Sequence, residues 1–209
     1  MTHEEWLRER MNGIGASEAA AIIGMSPYMT NEMLWEIKTG RRKAEDISGK
    51  SYVDYGTRAE QYLRALFALD YPEYKVGYKK YKIIRNSEHP FIFATLDGWL
   101  TEKHTGRKGV LEIKTTEIIK GTQRDKWKGR IPDNYYIQVL HQLLATGYEF
   151  AVLKGQLKFS YGELRLETLH YFIERRDVES DLEILKEAEI KFWECIVTDR
   201  RPNLILPPI

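Results

Sequence analysis

Between Thr30 and Gly40, and again between Tyr52 and Leu69, apolar residues recur every three or four positions, the period of an amphipathic helix. The first stretch carries Leu34, Trp35 and Lys38 before Gly40 stops it; the second carries Ala59, Tyr62, Leu63, Leu66 and Phe67, with Pro72 ending the pattern. Ahead of both, Thr2-His-Glu-Glu5 reads as a capping box opening a short helix to Met11. Ser17 is placed to cap another helix over Glu18–Ile23. The texture then changes. Tyr74–Ile84 is rich in β-formers, Phe91–Phe93 is short and apolar, and Gly109–Thr115 alternates, with Gly98 and the Gly106 region as hairpin turns. A helix is predicted from Asp133 or Asn134 through Val139, Leu140, Leu143 and Leu144 to Gly147, followed by strands over Phe150–Leu157 and Leu164–Ile173. Asp177 is positioned to cap a final helix with Val178, Leu182, Leu185, Phe192 and Ile196 on one side. Arg41–Ser51 reads as an exposed loop, and Pro202, Pro207 and Pro208 make the tail irregular. Helices, a β-meander, a helix, two strands and a helix make a mixed α/β (α+β) plan, a central mixed sheet flanked by helices.

The length of 209 residues fits one domain, and 43% hydrophobic content supplies a real core. No apolar run approaches the roughly 18 residues that span a bilayer. The opening residues lack the basic and apolar regions of a signal peptide, so the chain reads as cytosolic. The single cysteine, Cys195, excludes an intrachain disulfide framework and a cysteine-rich zinc site. A net charge of +1 hides an asymmetry: Glu163–Asp199 carries eleven acidic against five basic residues, leaving +7 elsewhere. Lys120, Arg124, Lys126, Lys128 and Arg130 crowd one short segment against Asp125 alone. Such a segment can line a DNA path through sequence-blind phosphate contacts, or be a solvated loop.

The chemistry concentrates at Asp97-Gly98 and Glu112-Ile113-Lys114. Residues two apart on a strand share a face, so Glu112 and Lys114 project together while Ile113 points into the core. Asp97 lies near the start of the neighbouring strand, across a hairpin tip at His104–Arg107. Two carboxylates and an ammonium then converge, wrapped in apolar β sequence. Magnesium is commonly held by one or two carboxylates and keeps waters and open positions for phosphate oxygens. A lysine beside it orients or helps deprotonate an attacking water. Gly13-x-Gly15-x-Ser17 entering a helix offers backbone N–H groups and a hydroxyl to an anion. It is not a dinucleotide fingerprint, since Glu18 takes the last glycine's place and a helix precedes it. His141 lacks a metal-spaced partner and reads as structural, as do Trp35, Trp99 and Trp193.

Taken in order, Trp6–Arg10, Gly13–Ser17, Gly56-Thr-Arg-Ala-Glu60, Ala94-Thr-Leu-Asp97-Gly98, Leu111–Lys114 and Tyr135–Leu143 resemble the YqaJ-like viral recombinase family, the phage lambda exonuclease type within the PD-(D/E)xK nucleases. The likeness runs through nearly the whole chain. It implies a restriction-endonuclease-like core over 1–209, with a helical part (1–70), a catalytic sheet and helix (71–175) and a C-terminal helix and tail (176–209). It implies Asp97 and Glu112 as metal ligands with the Ile113 carbonyl, Lys114 near the attacking water, Glu60 completing the acidic site and Gln138 lining it. Arg10 and Ser17 match the residues holding a 5′ phosphate. The proline expected before the aspartate is Leu96 here, which ligates nothing and leaves the set intact.

The resemblance therefore implies a magnesium-dependent (manganese-tolerant) nuclease that degrades one strand of linear duplex DNA from 5′-phosphorylated ends and leaves 3′ overhangs. It further implies a phage or prophage origin in a bacterial cytoplasm, a single-strand-annealing protein as partner and a homotrimer around DNA. Two alternatives stay open: a structure-specific or RNA-directed endonuclease of the same superfamily, and a DNA-end-binding module without catalysis.

Overall fold

In a computed structural model that describes residues 1–160 and 164–206, the Thr2 capping box forms: Thr2 and Glu5 bond each other's backbone N–H and open α1 (His3–Met11). Two further short helices follow, α2 (Ala19–Ile22) and α3 (Asn31–Lys38), the latter capped by Thr30. The long α4 (Ser51–Asp70) buries Leu63 and Phe67. Five strands come next, β2 (Tyr74–Gly77), β3 (Ile84–Arg85), β4 (Ile92–Ala94), β5 (Gly98–Glu102) and β6 (Lys108–Ile118); β1 is the two-residue Ile14–Gly15. The rest is α5 (Gly121–Asp125), α6 (Asp133–Thr146), β7 (Phe150–Phe159), β8 (Arg165–Glu174) and α7 (Glu179–Val197).

Among the described residues, the main sheet runs β2-β5-β6-β7-β8, with β6 and β7 parallel and the other neighbours antiparallel. Alternation along β6 and β7 builds both faces. Leu111, Ile113 and Val152 pack with Leu63 and Phe67 of α4, while Val110, Ala151 and Leu153 pack with Leu140 and Leu143 of α6. Each such buried aliphatic side chain contributes about 1.5–3 kcal/mol. Gly147 ends α6 at φ 67°, a left-handed geometry that glycine adopts without steric cost. A smaller sheet, β1-β4-β3, joins the N-terminal segment to the strand that precedes Asp97. The mixed α/β plan with flanking helices is borne out.

Several local expectations are corrected. Tyr74–Ile84 is not one strand. A turn at Lys79–Lys82, with Tyr81 at φ 59°, sends β2 into one sheet and β3 into the other. Gly98 is no turn but the first residue of β5, paired with Leu111. Ser17 does not cap α2, which starts after Glu18 without a side-chain cap. Asp177 lies in a 3-10 turn over Arg175–Asp177 and pairs with Arg176 instead of capping α7. The apolar side of α7 packs on α6, α2 and α3. Pro207 and Pro208 lie outside the described residues.

Candidate active site

The acidic cluster is built on β6. Its period of two turns Ile113 toward α4 and brings Glu112 and Lys114 together on the other side, with Lys114 Nζ 2.6 Å from Glu112 Oε1. Glu112 is 1% exposed. Two amides of α6 fix it, Gln138 Nε2 donating to Oε1 at 2.5 Å and Gln142 Nε2 donating to Oε2 at 2.5 Å. With Lys114 these take three of the roughly four acceptor positions of a carboxylate. Asp97, on the residue before β5, accepts the Ile113 N–H at 2.9 Å. Arg64 of α4 donates to the Asp97 main-chain carbonyl and lies 3.8 Å from the Tyr78 ring centre.

Burial raises the Asp97 carboxyl well above the ordinary range, and the charges of Glu112 and Glu60 push it further. Glu60 is raised as well, first by burial and then by Glu112. For Lys114, burial works to release the proton, but Glu112 and Asp97 outweigh it and hold the ammonium above the usual lysine value. Its Nζ also sits 5.1 Å from the Tyr135 ring centre. Glu60, Asp97 and Glu112 thus face Lys114 and Arg64, three acids against two cations. A divalent cation fits that imbalance. Among the described residues no group of three or more Asp, Glu, His or Cys side chains forms a ready-made cage. Two neighbouring carboxylates suit a cation that keeps most of its waters, such as magnesium, better than a metal that needs four protein ligands.

The N-terminal cluster comes out differently from its sequence reading. Arg10 Nη2 donates to Ser17 Oγ at 3.3 Å, so those two residues do meet. The Gly15 N–H, expected free, instead donates to Glu18 Oε2 at 2.8 Å, and Ile14 N–H is used by Phe91 O at 2.7 Å. Gly13 has a packing reason: a Cβ there would lie 2.3 Å from Phe91 O. Glu18 also binds Lys38 Nζ at 2.7 Å and lies 3.8 Å from Arg10. Trp6 ties this cluster to the acidic one, its Nε1 donating to Thr95 Oγ1 at 3.0 Å while the Arg10 guanidinium lies 4.8 Å from its ring centre.

The basic segment is anchored by Trp127, which is 3% exposed and 5.5 Å from the Tyr135 ring. Lys120, Lys126, Lys128 and Arg130 are exposed beside it, whereas Arg124 is held by Glu167 at 2.8 Å. His141 is structural, bonded to Glu189 at 2.6 Å and to Phe93 O at 2.8 Å. Sequence reasoning gave no role to Gln142, Arg64 or Lys38. The first two had a signal: Gln142 is four residues after Gln138, and Arg64 four after Glu60, each pair on one helix face. Lys38, buried by contacts from distant segments, had none.

A mixed sheet covered by helices, with an aspartate ahead of one strand and Glu-x-Lys on the next, defines a restriction-endonuclease-like protein. Residues 5–149 match the model of the YqaJ-like viral recombinase domain, and the chain belongs to that family. The uncharacterized protein YqaJ of Bacillus subtilis (strain 168) is 34% identical over 199 residues, which is 92% of this chain and 56% of that protein. The chain thus spans about half the length of the curated relative it matches. The fold is similar to the crystal structure of an alkaline exonuclease (LHK-Exo) from Laribacter hongkongensis, with a TM-score of 0.66 over 95% of this chain and 96% of that one at 18% identity. It is also similar to a phage-related exonuclease from Haemophilus somnus 129PT, with a TM-score of 0.57 over 90% and 96% at 14% identity. At such identities the likeness is one of fold. Among the described residues no helix is long and apolar enough to cross a membrane.

Proposed function

We propose that this chain is a magnesium-dependent deoxyribonuclease that removes nucleotides from 5′-phosphorylated ends of linear duplex DNA, leaving 3′ overhangs for recombination. The observation that carries it is the convergence of Asp97, Glu112 and Lys114, with Gln138 and Gln142 locking Glu112 in place. Asp97, Glu112 and the Ile113 carbonyl would hold the magnesium, which when bound would offset charge building on the scissile phosphate. Lys114 is held protonated, so it serves as a donor that orients the attacking water and stabilises negative charge. Gln138 and Gln142 keep Glu112 from turning toward solvent. Glu60, raised by burial and by Glu112, completes the acidic edge. Arg10 and Ser17 take the terminal phosphate, for which a forked guanidinium is the better partner than an ammonium. Lys120, Lys126, Lys128 and Arg130 lie along the duplex.

Family likeness supports a single-strand-annealing protein as partner and a homotrimer as the assembly. The test uses linear duplex DNA labelled at either end, with magnesium, manganese or EDTA, beside a closed circle and Glu112→Ala. Metal-dependent loss from 5′-phosphorylated ends, absent on circles and in the variant, is expected. Cutting of circles would replace the exonuclease by an endonuclease, and DNA binding without cleavage under either metal would end the catalytic reading.

A further inference from the structure

Apart from the acidic cluster, a groove of about 710 Å³ lies between the first half of α4 and the far ends of β6 and β7. Its floor is Thr115–Glu117, the residues that follow Lys114 along β6, with Gln156 and Lys158 of β7. Its wall is the α4 face carrying Tyr52, Tyr55 and Tyr62. Those spacings of three and seven residues put the rings on one side of a helix. The rings are 57%, 38% and 69% exposed. Lys158 Nζ lies 4.8 Å from the Tyr55 ring centre, and the Tyr55 hydroxyl donates to Gln156 Oε1 at 3.1 Å.

The charges of the groove cancel, Arg58 and Lys158 against Asp54 and Glu117. A surface that tracks a duplex backbone needs net positive charge. Surfaces that hold an unpaired strand combine cations with accessible aromatic rings on which bases stack, and here Arg58, Lys158 and the Gln156 amide stand among Tyr52, Tyr55 and Tyr62. The groove neighbours the acidic cluster along two elements: its floor begins at Thr115, the residue after Lys114 on β6, and its wall includes Ala59, the residue before Glu60 on α4. A nuclease that works on one strand at a duplex end must part the strands there, and parted bases need new stacking partners.

We infer that this groove binds unpaired DNA, stacking bases on Tyr55 and Tyr62 and guiding the strand past Tyr52 toward the acidic cluster. The inference rests on the nuclease reading for its position in a reaction, but its binding test does not. Binding of a short fluorescent oligothymidylate is followed by anisotropy in EDTA, for the wild type, Tyr55→Ala, Tyr62→Ala, Tyr55→Phe and Glu112→Gln. Each alanine variant is expected to lose roughly 5- to 100-fold in affinity, the range for removing one stacking ring. Tyr55→Phe and Glu112→Gln are expected to retain it. Thermal melts confirm that the exposed substitutions leave the fold intact. As a second readout, an iodouracil-bearing strand should photo-crosslink to the peptide containing 51–63.

Equal binding by wild type and alanine variants, or crosslinking only elsewhere, overturns the groove. So does a wild type that binds no single strand. Ring-dependent binding in a protein that cuts no DNA upholds the groove and sinks the nuclease reading. Cleavage without ring dependence does the reverse.

Discussion

The acidic cluster on β6 and the Arg10–Ser17 cluster are both built from cation–carboxylate pairs, yet their imbalances have opposite sign. On β6, Glu60, Asp97 and Glu112 outnumber Lys114 and Arg64. At the N-terminus, Arg10 and Lys38 outnumber Glu18. One cluster is short of a cation and the other of an anion. A metal and a terminal phosphate are ligands of those two signs, and the Trp6–Thr95 hydrogen bond at 3.0 Å couples the places that would receive them. Burial differs as well. Glu112 is sealed under α6, whereas Arg10 and Ser17 remain reachable from solvent. On the proposed function, the sealed cluster would carry the chemistry and the open one the recognition.

The strongest way to break that assignment is Glu112. Glu112→Ala strands the Lys114 ammonium and two buried amides, so cleavage should fall by at least about 100- to 1000-fold. Stability should fall by about 3–5 kcal/mol, the cost of breaking a buried ion pair. Glu112→Gln keeps the shape and should lose the same activity at a smaller cost in stability. Nuclease assays beside urea denaturation separate the two. Retained activity in either variant would remove Glu112 from the chemistry.

The N-terminal cluster should respond in a different way. Glu18→Gln leaves Lys38, whose side chain is 1% exposed, without its carboxylate partner, and should destabilise the protein by about 3 kcal/mol. Adding Lys38→Met should restore most of that. Arg10→Ala gives up the contacts with Trp6, Ser17 and Glu18, so it should lower the melting temperature by less than Glu18→Gln does. It should also cut the preference for 5′-phosphate over 5′-hydroxyl ends by roughly 10- to 100-fold, the worth of a charged hydrogen bond. A loss of rate equal on both kinds of end would take Arg10 out of phosphate recognition.

The excess of acid on β6 predicts a smaller effect with an unusual sign. Asp97→Asn removes one of three mutually repelling carboxylates, while the amide oxygen of the new side chain still accepts from the Ile113 N–H. In EDTA the variant should be more stable than the wild type by about 0.5–2 kcal/mol, although inactive, as is common where a site trades stability for function. Magnesium should raise the wild-type melting temperature and leave the variant's unchanged. A variant less stable than the wild type in EDTA would show that the cluster is not under electrostatic strain.

How much of this was readable in the sequence follows the range of the interactions. Helices α1, α3, α4 and α6 were readable because caps, periods and Gly147 are local signals. Asp97, Glu112 and Lys114 were readable because strand alternation and a short hairpin fix their relation within a short span of chain. Of the N–H groups in the N-terminal motif, those of Ile14 and Gly15 are taken by Phe91 O and the Glu18 carboxylate, partners that the local motif does not reveal. The split of Tyr74–Ile84 between two sheets was hidden for the same reason, since pairing partners far along the chain decide it. The tyrosine face of α4 was visible as a spacing, but its opposition to Lys158 and Gln156 needed the β6–β7 register.

A third pair offers the finest test of whether imbalance, and not burial alone, marks a functional cluster. His141 and Glu189 are both fully buried, 2.6 Å apart, one carboxylate facing one imidazole that bears a positive charge when protonated, and the ring's other nitrogen meets Phe93 O. The pair is balanced and takes no ligand, so changing it should alter stability and not end preference or metal response. Burial works against the imidazolium, but Glu189 and the Phe93 carbonyl outweigh it and raise the His141 pKa. A histidine raised in the folded state contributes stability that is complete below its unfolded value near 6.5 and fades as pH rises through the folded one. Each unit of that shift is worth about 1.4 kcal/mol. Wild-type stability should therefore decline over that window, and Glu189→Gln should flatten the decline while leaving the 5′-phosphate preference and the magnesium-induced rise in melting temperature in place. If Glu189→Gln instead abolished either of those, a balanced pair would be part of the functional machinery, and charge imbalance would no longer separate the two clusters from the core.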